Sequence, residues 1–213
     1  MSLLIVGAGE QGRVVLEAAR AADLDPLGFI HPAQGSGSPG PESVDGLPIL
    51  GFLDQPDAWR RAGESLGFIV ALGDNRSRAA AHERCLASGL TPVAVVHPRA
   101  IVLAGAEIAP GALVAAGAIV GVAARIGANA IINTAASVDH DTVVGAHAHV
   151  APGAHLAGRV TVGEGAFIGV GAAIRDGIRI GSWSVVAAGA AVASDVGDDL
   201  RVAGVPARPM DGP

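Results

Sequence analysis

Aromatic side chains are almost missing from this 213-residue chain: they make up 3% of it, and there is no tyrosine. A sandwich or helical bundle uses large rings to fill its wider gaps. A chain that is 50% hydrophobic with so few rings points instead to thin, closely spaced layers of Ala, Val and Ile. Basic charge is also scarce. With 14 Lys and Arg against 20 Asp and Glu the net charge is −6, so no general basic surface for nucleic-acid phosphates is expected. Cys85 is the one cysteine, which excludes an intramolecular disulfide. No run of about 18 residues keeps strong hydrophobicity without polar interruption, so no membrane span is expected. The opening Met1-Ser2-Leu3-Leu4-Ile5-Val6-Gly7 has no basic n-region and runs straight into a glycine motif, unlike a signal peptide. The expected compartment is the cytoplasm.

What the chain does have is a repeat. From Val96 every sixth residue is aliphatic, through Val102, Ile108, Val114, Val120, Ile126, Ile132, Val138 and Val144 to Val192, 17 positions in register. Four residues after each comes a small one at most positions, among them Ala100, Ala106, Ala112, Ala118 and Ala124. A period of six fits neither a helix nor an uninterrupted strand. It fits a short strand followed by a tight turn, wound around a triangular prism with 18 residues to a coil. Gly105, Gly111, Gly117, Gly153, Gly165, Gly171 and Gly189 recur at one turn position, where a positive φ is cheap for glycine. The period predicts a parallel β-helix over residues 93–197, followed by a tail, 198–213, that caps its end.

This pattern resembles the hexapeptide-repeat transferases. The resemblance implies a left-handed β-helix that works as a homotrimer, with active sites between subunits.

Residues 1–92 read differently. Leu3 to Val6 is a buried strand, Gly7-Ala8-Gly9-Glu10-Gln11-Gly12 follows, and Arg13 to Ala22 has helical composition. Strand, G-x-G-x-x-G, helix is a context that presents amides to a phosphate. The acid that would meet an NAD ribose is not in place, because the second strand, Leu27 to Ile30, ends in His31-Pro32. Gly35 to Pro41 reads as a surface loop. Phe68 to Leu72 is another buried strand, ending in Gly73-Asp74-Asn75-Arg76, and Ser77 to Ser88 is helical. This predicts a small α/β, Rossmann-like unit with ligand sites at the strand ends, around Gly9, Gln11, Gly12, His31, Gly73, Asp74 and Asn75.

Together with Val96-His97-Pro98, these segments resemble bacterial sugar N-acetyltransferases that act on nucleotide-linked 4-amino-4,6-dideoxy sugars. A sialic-acid O-acetyltransferase branch shares the layout, and a non-catalytic trimeric sugar-nucleotide-binding scaffold is the alternative from another class. Gln11 stands where the family often has His.

Most of the repeat is chemically silent, so the segment Asn133 to Asp141, followed by His147, His149 and His155, stands out. Transfer from a thioester needs a general base, a group to orient it and a donor for the oxyanion. His140 has the right unperturbed pKa for the base. Asp141 or Asp139 can orient it, and the family pattern favours Asp141, though Glu is more usual there. Gly158 lies one coil after His140, so its N–H is the expected oxyanion donor. His149 is nine residues from His140, on another face, and is expected to meet the acyl group from the adjacent subunit. Asn133 is a candidate sugar contact, while His147 and His155 read as surface or interface residues. The resemblance places acetyl-CoA, the expected co-substrate, along His149, Gly158, Val170, Pro206 and Arg208. The histidine spacing does not match a three-His metal site, and no metal is required.

Overall fold

The computed structural model describes residues 2–32, 42–60 and 65–210. The Gly35 to Pro41 loop lies outside the described residues.

The front unit consists of β1 (Ser2–Val6), α1 (Glu10–Ala21), β2 (Asp25–His31), β3 (Ser43–Val44), β4 (Leu47–Phe52), α2 (Pro56–Trp59), β5 (Leu66–Val70), α3 (Asn75–Ala87) and β6 (Thr91–Pro92). Its strand order is β3-β4-β2-β1-β5-β6, parallel except for the β3–β4 hairpin. The hairpin and α2 have no counterpart in the sequence reading. The hairpin turn is Asp45-Gly46, both at positive φ, the chemistry a tight hairpin needs. Both long helices start earlier than expected. Helix α1 begins at Glu10, inside the glycine motif, and α3 begins at Asn75 because Asp74 caps it, its carboxylate accepting from the Ser77 amide at 2.8 Å. The glycine motif has steric reasons: Gly7 holds φ +110°, and a Cβ at Gly12 would collide with the Gly7 carbonyl.

The sheet is covered on both faces. Leu4, Val6, Phe68 and Val70 pack with Ala81 and Cys85 of α3, whereas Leu3, Ile5 and Phe29 pack with Val15, Leu16 and Ala19 of α1. The second cluster also contains Val95, Leu113 and Ile131 from the repeat region. One hydrophobic core therefore runs from the front unit into the β-helix.

The hexads form two-residue strands that stack into three parallel sheets. Leu113-Val114 pairs with Ile131-Ile132, and that strand pairs with His149-Val150, a spacing of 18 residues each time. We name the three faces by their members. The first carries Val95, Leu113, Ile131, His149, Phe167 and Val185 on its outside; the second carries Ile101, Ile119, Ser137, His155 and Ala173; the third carries Glu107, Arg125, Val143, Thr161 and Arg179. The interior is filled by the register aliphatics and by the alanines that follow four places later, both of which are buried in one cluster. Those alanines are thus core as well as corner residues. Between the first and last turns, each corner places one residue near φ +60°: glycine at 105, 111, 117, 153, 165, 171, 177 and 189, and Ala123, Asn129, Ala135, Asp141, His147, Arg159 and Trp183 elsewhere. The tail extends the stack: Arg201–Ala203 joins the first face beside Val185-Val186, and Arg208–Pro209 folds back against it.

The front unit straddles the first face. Helix α1 runs along the corner that follows that face, where Glu17 meets His97 at 3.3 Å. Helix α3 runs along the corner that precedes it, with Asn75, Arg78 and His82 turned towards the coils. The ends of β1 and β5 consequently point at the upper coils, those carrying His149, Phe167 and Val185.

Candidate active site

His140 and Asp141 occupy the corner between the second and third faces. Asp141 takes the left-handed turn position at φ +57°, which Asp tolerates better than most residues. That turn sets its carboxylate beside the preceding ring, with His140 Nδ1 to Asp141 Oδ2 at 2.8 Å. Asp139 accepts the His140 amide at 2.6 Å and fixes the backbone. With Nδ1–H donating to Asp141, the assigned tautomer leaves Nε2 as an acceptor, the state a general base needs. Gly158 lies on the next coil against the His140 ring, where a Cβ would collide with Nε2 and Cε1. The Arg159 amide donates to the His140 carbonyl at 2.9 Å and holds the two coils together, while the Gly158 amide donates to no backbone carbonyl among the described residues.

His149 and Asn133 lie elsewhere, on the first face and the corner after it. His149 is 6% exposed, and its Nε2 accepts from Asn133 Nδ2 at 3.0 Å. The Asn133 carbonyl oxygen in turn accepts the Thr134 amide at 2.8 Å. The Phe167 ring meets His149 edge-on at 5.2 Å. Burial pushes the His149 imidazole down to about 4, with the Arg78 charge adding to the effect and the Gly73 carbonyl opposing it. At neutral pH it is a neutral hydrogen-bonding group.

Between the start of α3 and the first face lies a crevice of about 320 Å³, lined by Gly73, Asp74, Arg76, Phe167, Trp183 and Val185. Phe167 and Trp183 are the two aromatic residues of the β-helix, and both face it. Arg76 stacks over Trp183 at 4.6 Å. Sequence reasoning passed over both rings, although their isolation in an aliphatic repeat was a usable signal. A second groove of about 470 Å³ follows α1 from Glu10 to Glu17 and reaches Thr134, next to Asn133.

The remaining sequence-derived residues fall into place around these features. Gly9 caps α1 and is exposed, Gln11 stands in the first turn with its amide nitrogen buried and without a partner among the described residues, and Gly12 is buried. His31 ends β2 and packs its ring on Phe52 at 5.5 Å. Asn75 is buried and donates to the carbonyls of Gly165 and Ala166 at 3.0 and 3.1 Å. Val170 is 54% exposed, on the corner after the first face, where the Gly189 amide donates to its carbonyl at 2.8 Å. Pro206 and Arg208 are exposed in the tail at the upper end of that corner. His155 is exposed and bonds Ser137 at 2.8 Å, whereas His147 is buried under α3. In one chain, then, the structure brings together His140, Asp141 and Gly158 at one corner, and Gly73, Asn75, Asn133 and His149 at another place. Cys85 is buried on the sheet-facing side of α3, its thiol pushed up to about 12 by burial. Among the described residues no group of three or more His, Cys, Asp or Glu side chains could hold a metal ion, and no helix is long and apolar enough to cross a membrane.

A histidine–carboxylate pair on a β-helix corner, with a Rossmann-like unit in front, is an arrangement suited to acyl transfer, and comparison with known proteins agrees. Residues 2–85 match the family model described as the PglD N-terminal domain. The acetyltransferase domain of PglB from Neisseria gonorrhoeae, solved with acetyl coenzyme A, is 35% identical, with a TM-score of 0.88 over 98% of each chain. Perosamine N-acetyltransferase from Caulobacter crescentus was solved as a histidine-to-asparagine variant with CoA and GDP-perosamine. It is 34% identical, with a TM-score of 0.91 over 100% of this chain and 98% of that one. WeeI from Acinetobacter baumannii is 25% identical, with a TM-score of 0.86 over 99% of this chain and 100% of that one. No curated protein sequence matches. The chain belongs to the hexapeptide-repeat, left-handed β-helix family of nucleotide-sugar N-acetyltransferases with a PglD-type N-terminal domain. It is an enzyme of the acyltransferase class.

Proposed function

We propose that the protein transfers the acetyl group of acetyl-CoA to the amine of a nucleotide-linked 4-amino-4,6-dideoxy sugar, as a homotrimer in the cytoplasm. The observation that carries this reading is the pairing of His140 with Asp141 beside Gly158. In this mechanism the amine attacks the thioester carbonyl while His140 Nε2 takes its proton. Asp141 holds the ring and favours the imidazolium that forms. The oxyanion of the tetrahedral intermediate meets the Gly158 N–H, a donor already in position before charge develops. Collapse breaks the carbon–sulfur bond, and the imidazolium proton goes to the departing CoA thiolate. No covalent enzyme intermediate is used.

The nucleotide is held by the front unit, with Gly9, Gln11, Gly12 and His31 at one set of strand ends and Gly73, Asp74 and Asn75 at another. The sugar reaches Asn133, and His149 meets the acyl thioester from the adjacent subunit. Since His140 lies on a different face, the two halves of the site come from neighbouring subunits, and acetyl-CoA lies between them, along Val170 towards Pro206 and Arg208. Solvent-exposed aliphatic residues around the His140 corner, Ile119 at 39% and Val122 at 49%, suit such a subunit contact.

The test is a thiol-release assay with acetyl-CoA against UDP-, GDP- and dTDP-linked 4-amino sugars and free sialic acid. Turnover on one amino-sugar nucleotide, lost in His140→Ala, is the expected result. Turnover on sialic acid alone, or full activity in His140→Ala, overturns the reading.

A further inference from the structure

The side chain with the densest set of polar contacts lies outside the reaction centre. Arg78, on α3, is 0% exposed and has no carboxylate partner among the described residues; its guanidinium is met by oxygen atoms of neutral groups. Nε donates to the Asn129 carbonyl at 3.1 Å. Nη1 donates to the carbonyls of Leu72 at 3.0 Å and Gly73 at 3.4 Å. Nη2 donates to Asn75 Oδ1 at 2.7 Å and to the His147 carbonyl at 2.6 Å, with the Ala148 carbonyl at 3.3 Å. All five N–H groups of the fork thus have acceptors. Three acceptors belong to the segment that ends β5 and opens α3. The other three belong to two successive coils of the β-helix.

A buried cation is a costly way to join two domains. Burial lowers its pKa to about 10, with the nearby Asp74 charge opposing this, so it stays protonated at neutral pH. An apolar residue would pack this seam as well or better for stability. What the guanidinium adds is direction, because the five N–H groups of a planar fork hold six acceptors at once. Those acceptors flank the elements that the proposed function uses. Gly73 and Asn75 are in the nucleotide-holding loop, and Ala148 immediately precedes His149.

We propose, resting on that reading, that Arg78 is a positioning residue for the transfer: it locks the Gly73–Asn75 loop and the strand carrying His149 into one body. The acceptor substrate and the histidine that meets the acyl thioester are thereby held at a fixed separation. His149 itself is buried by this arrangement, under Gly73 and against Phe167.

Arg78→Lys keeps the charge but offers three donors from a single point and cannot span both sides. In the full-length protein the KM for the amino-sugar nucleotide should rise on the order of tenfold to a hundredfold, the scale of a misplacement of about 1 Å. The KM for acetyl-CoA should rise far less, by roughly twofold, since apart from His149 the CoA contacts run along the opposite corner from Val170 to Pro206 and Arg208. The His149 ring, followed by NMR, should titrate higher than in the wild type as the seam loosens. A merely structural role would lower the folded fraction and leave both KM values and the His149 titration alone, and that result overturns the proposal. Should Arg78→Lys not fold, amide exchange in the wild-type protein decides. Residues 72–75 and 147–149 should open with one shared free energy, and independent opening of the two segments sinks the idea. Failure of the functional reading looks different: the wild type turns over no amino-sugar nucleotide, while the His149 titration and the exchange data still report on the lock.

Discussion

The imidazole of His140 lies against Gly158 of the next coil, with no room between them for a methyl group. The glycine is therefore a seat for the base as well as a source of an N–H. Its φ is not in the left-handed region, so alanine is conformationally allowed there, and the collision is with the ring alone. Gly158→Ala should keep the fold and its thermal midpoint while kcat falls about 10²- to 10³-fold, the scale of losing one oxyanion donor or displacing a base. Kinetics paired with a melting curve check this. A variant that loses stability and activity together would show that the glycine serves the coil and not the histidine.

Asp141 combines two properties that one substitution separates. Its positive φ costs about 1 kcal/mol for a residue with a Cβ, while its carboxylate holds His140 Nδ1 at 2.8 Å. Asp141→Gly removes the strain and the orienting group together. The expected outcome is a protein at least as stable as the wild type whose kcat is lower by about 10- to 100-fold, the usual loss when a group that orients a catalytic side chain is removed. Asp141→Asn, which keeps a polar partner at the same turn, should fall between the two. Equal kcat in Asp141→Gly and the wild type would remove Asp141 from the mechanism.

The α3 seam should make the protein acid-sensitive. Burial lowers the pKa of His82, His147 and His149, the last to about 4, and Arg78 adds to the effect at His147 and His149. Glu83 and Glu164 oppose it at the periphery. Each ring is held neutral in the folded state, so the unfolded chain binds more protons below the ordinary value of about 6.5. Stability is therefore full above that pH and is lost as pH falls, through about 4 for His149. His149 alone accounts for about 3 kcal/mol of this loss once the pH is below its folded value. Denaturant melts between pH 8 and pH 4 should show the decline, and His149→Gln should shrink it.

The β-helix was legible because every coil solves the same packing problem, so Val114, Ile132, Val150 and Ile168 recur in register and announce the period. His140 and Asp141 were legible for the complementary reason, as ionisable residues in an aliphatic background. The α3 seam was not. Its buried side chains are Asn75, Arg78 and His82, polar residues that read as a solvated helix face. The coil residues that α3 meets, Asn129, His147 and Trp183, sit at turn positions where the repeat alone predicts glycine. What decides their burial is the docking of a helix some fifty or more residues away in sequence, which no local pattern encodes. The hairpin at Asp45-Gly46 escaped for a simpler reason. Its first strand, Ser43–Val44, has two residues, too few for any alternation to show.

That division between bare corners and docked corners gives a final prediction. Ala123 and Ala135 hold φ +55° at turns where both residues are exposed. Replacing either with glycine relieves about 1–2 kcal/mol of left-handed strain and gives back about 0.5–1 kcal/mol through the freer unfolded chain. A small net stabilisation should remain. At the corner under α3 the same exchange should have the opposite sign. Asn129→Gly removes a buried amide that bonds His147 Nδ1 at 2.8 Å and the Arg78 carbonyl at 3.3 Å. Trp183→Gly removes the ring that Arg76 covers and that lies against Gly165. Both should lower the thermal midpoint by more than Ala123→Gly or Ala135→Gly raises it, because a lost buried hydrogen bond or aromatic contact outweighs one turn's strain. Four melting curves suffice. If all four glycine variants moved the midpoint in the same direction, the side chains at the docked corner would have no part in holding the front unit, and α3 would rest on Arg78 and Asn75 alone.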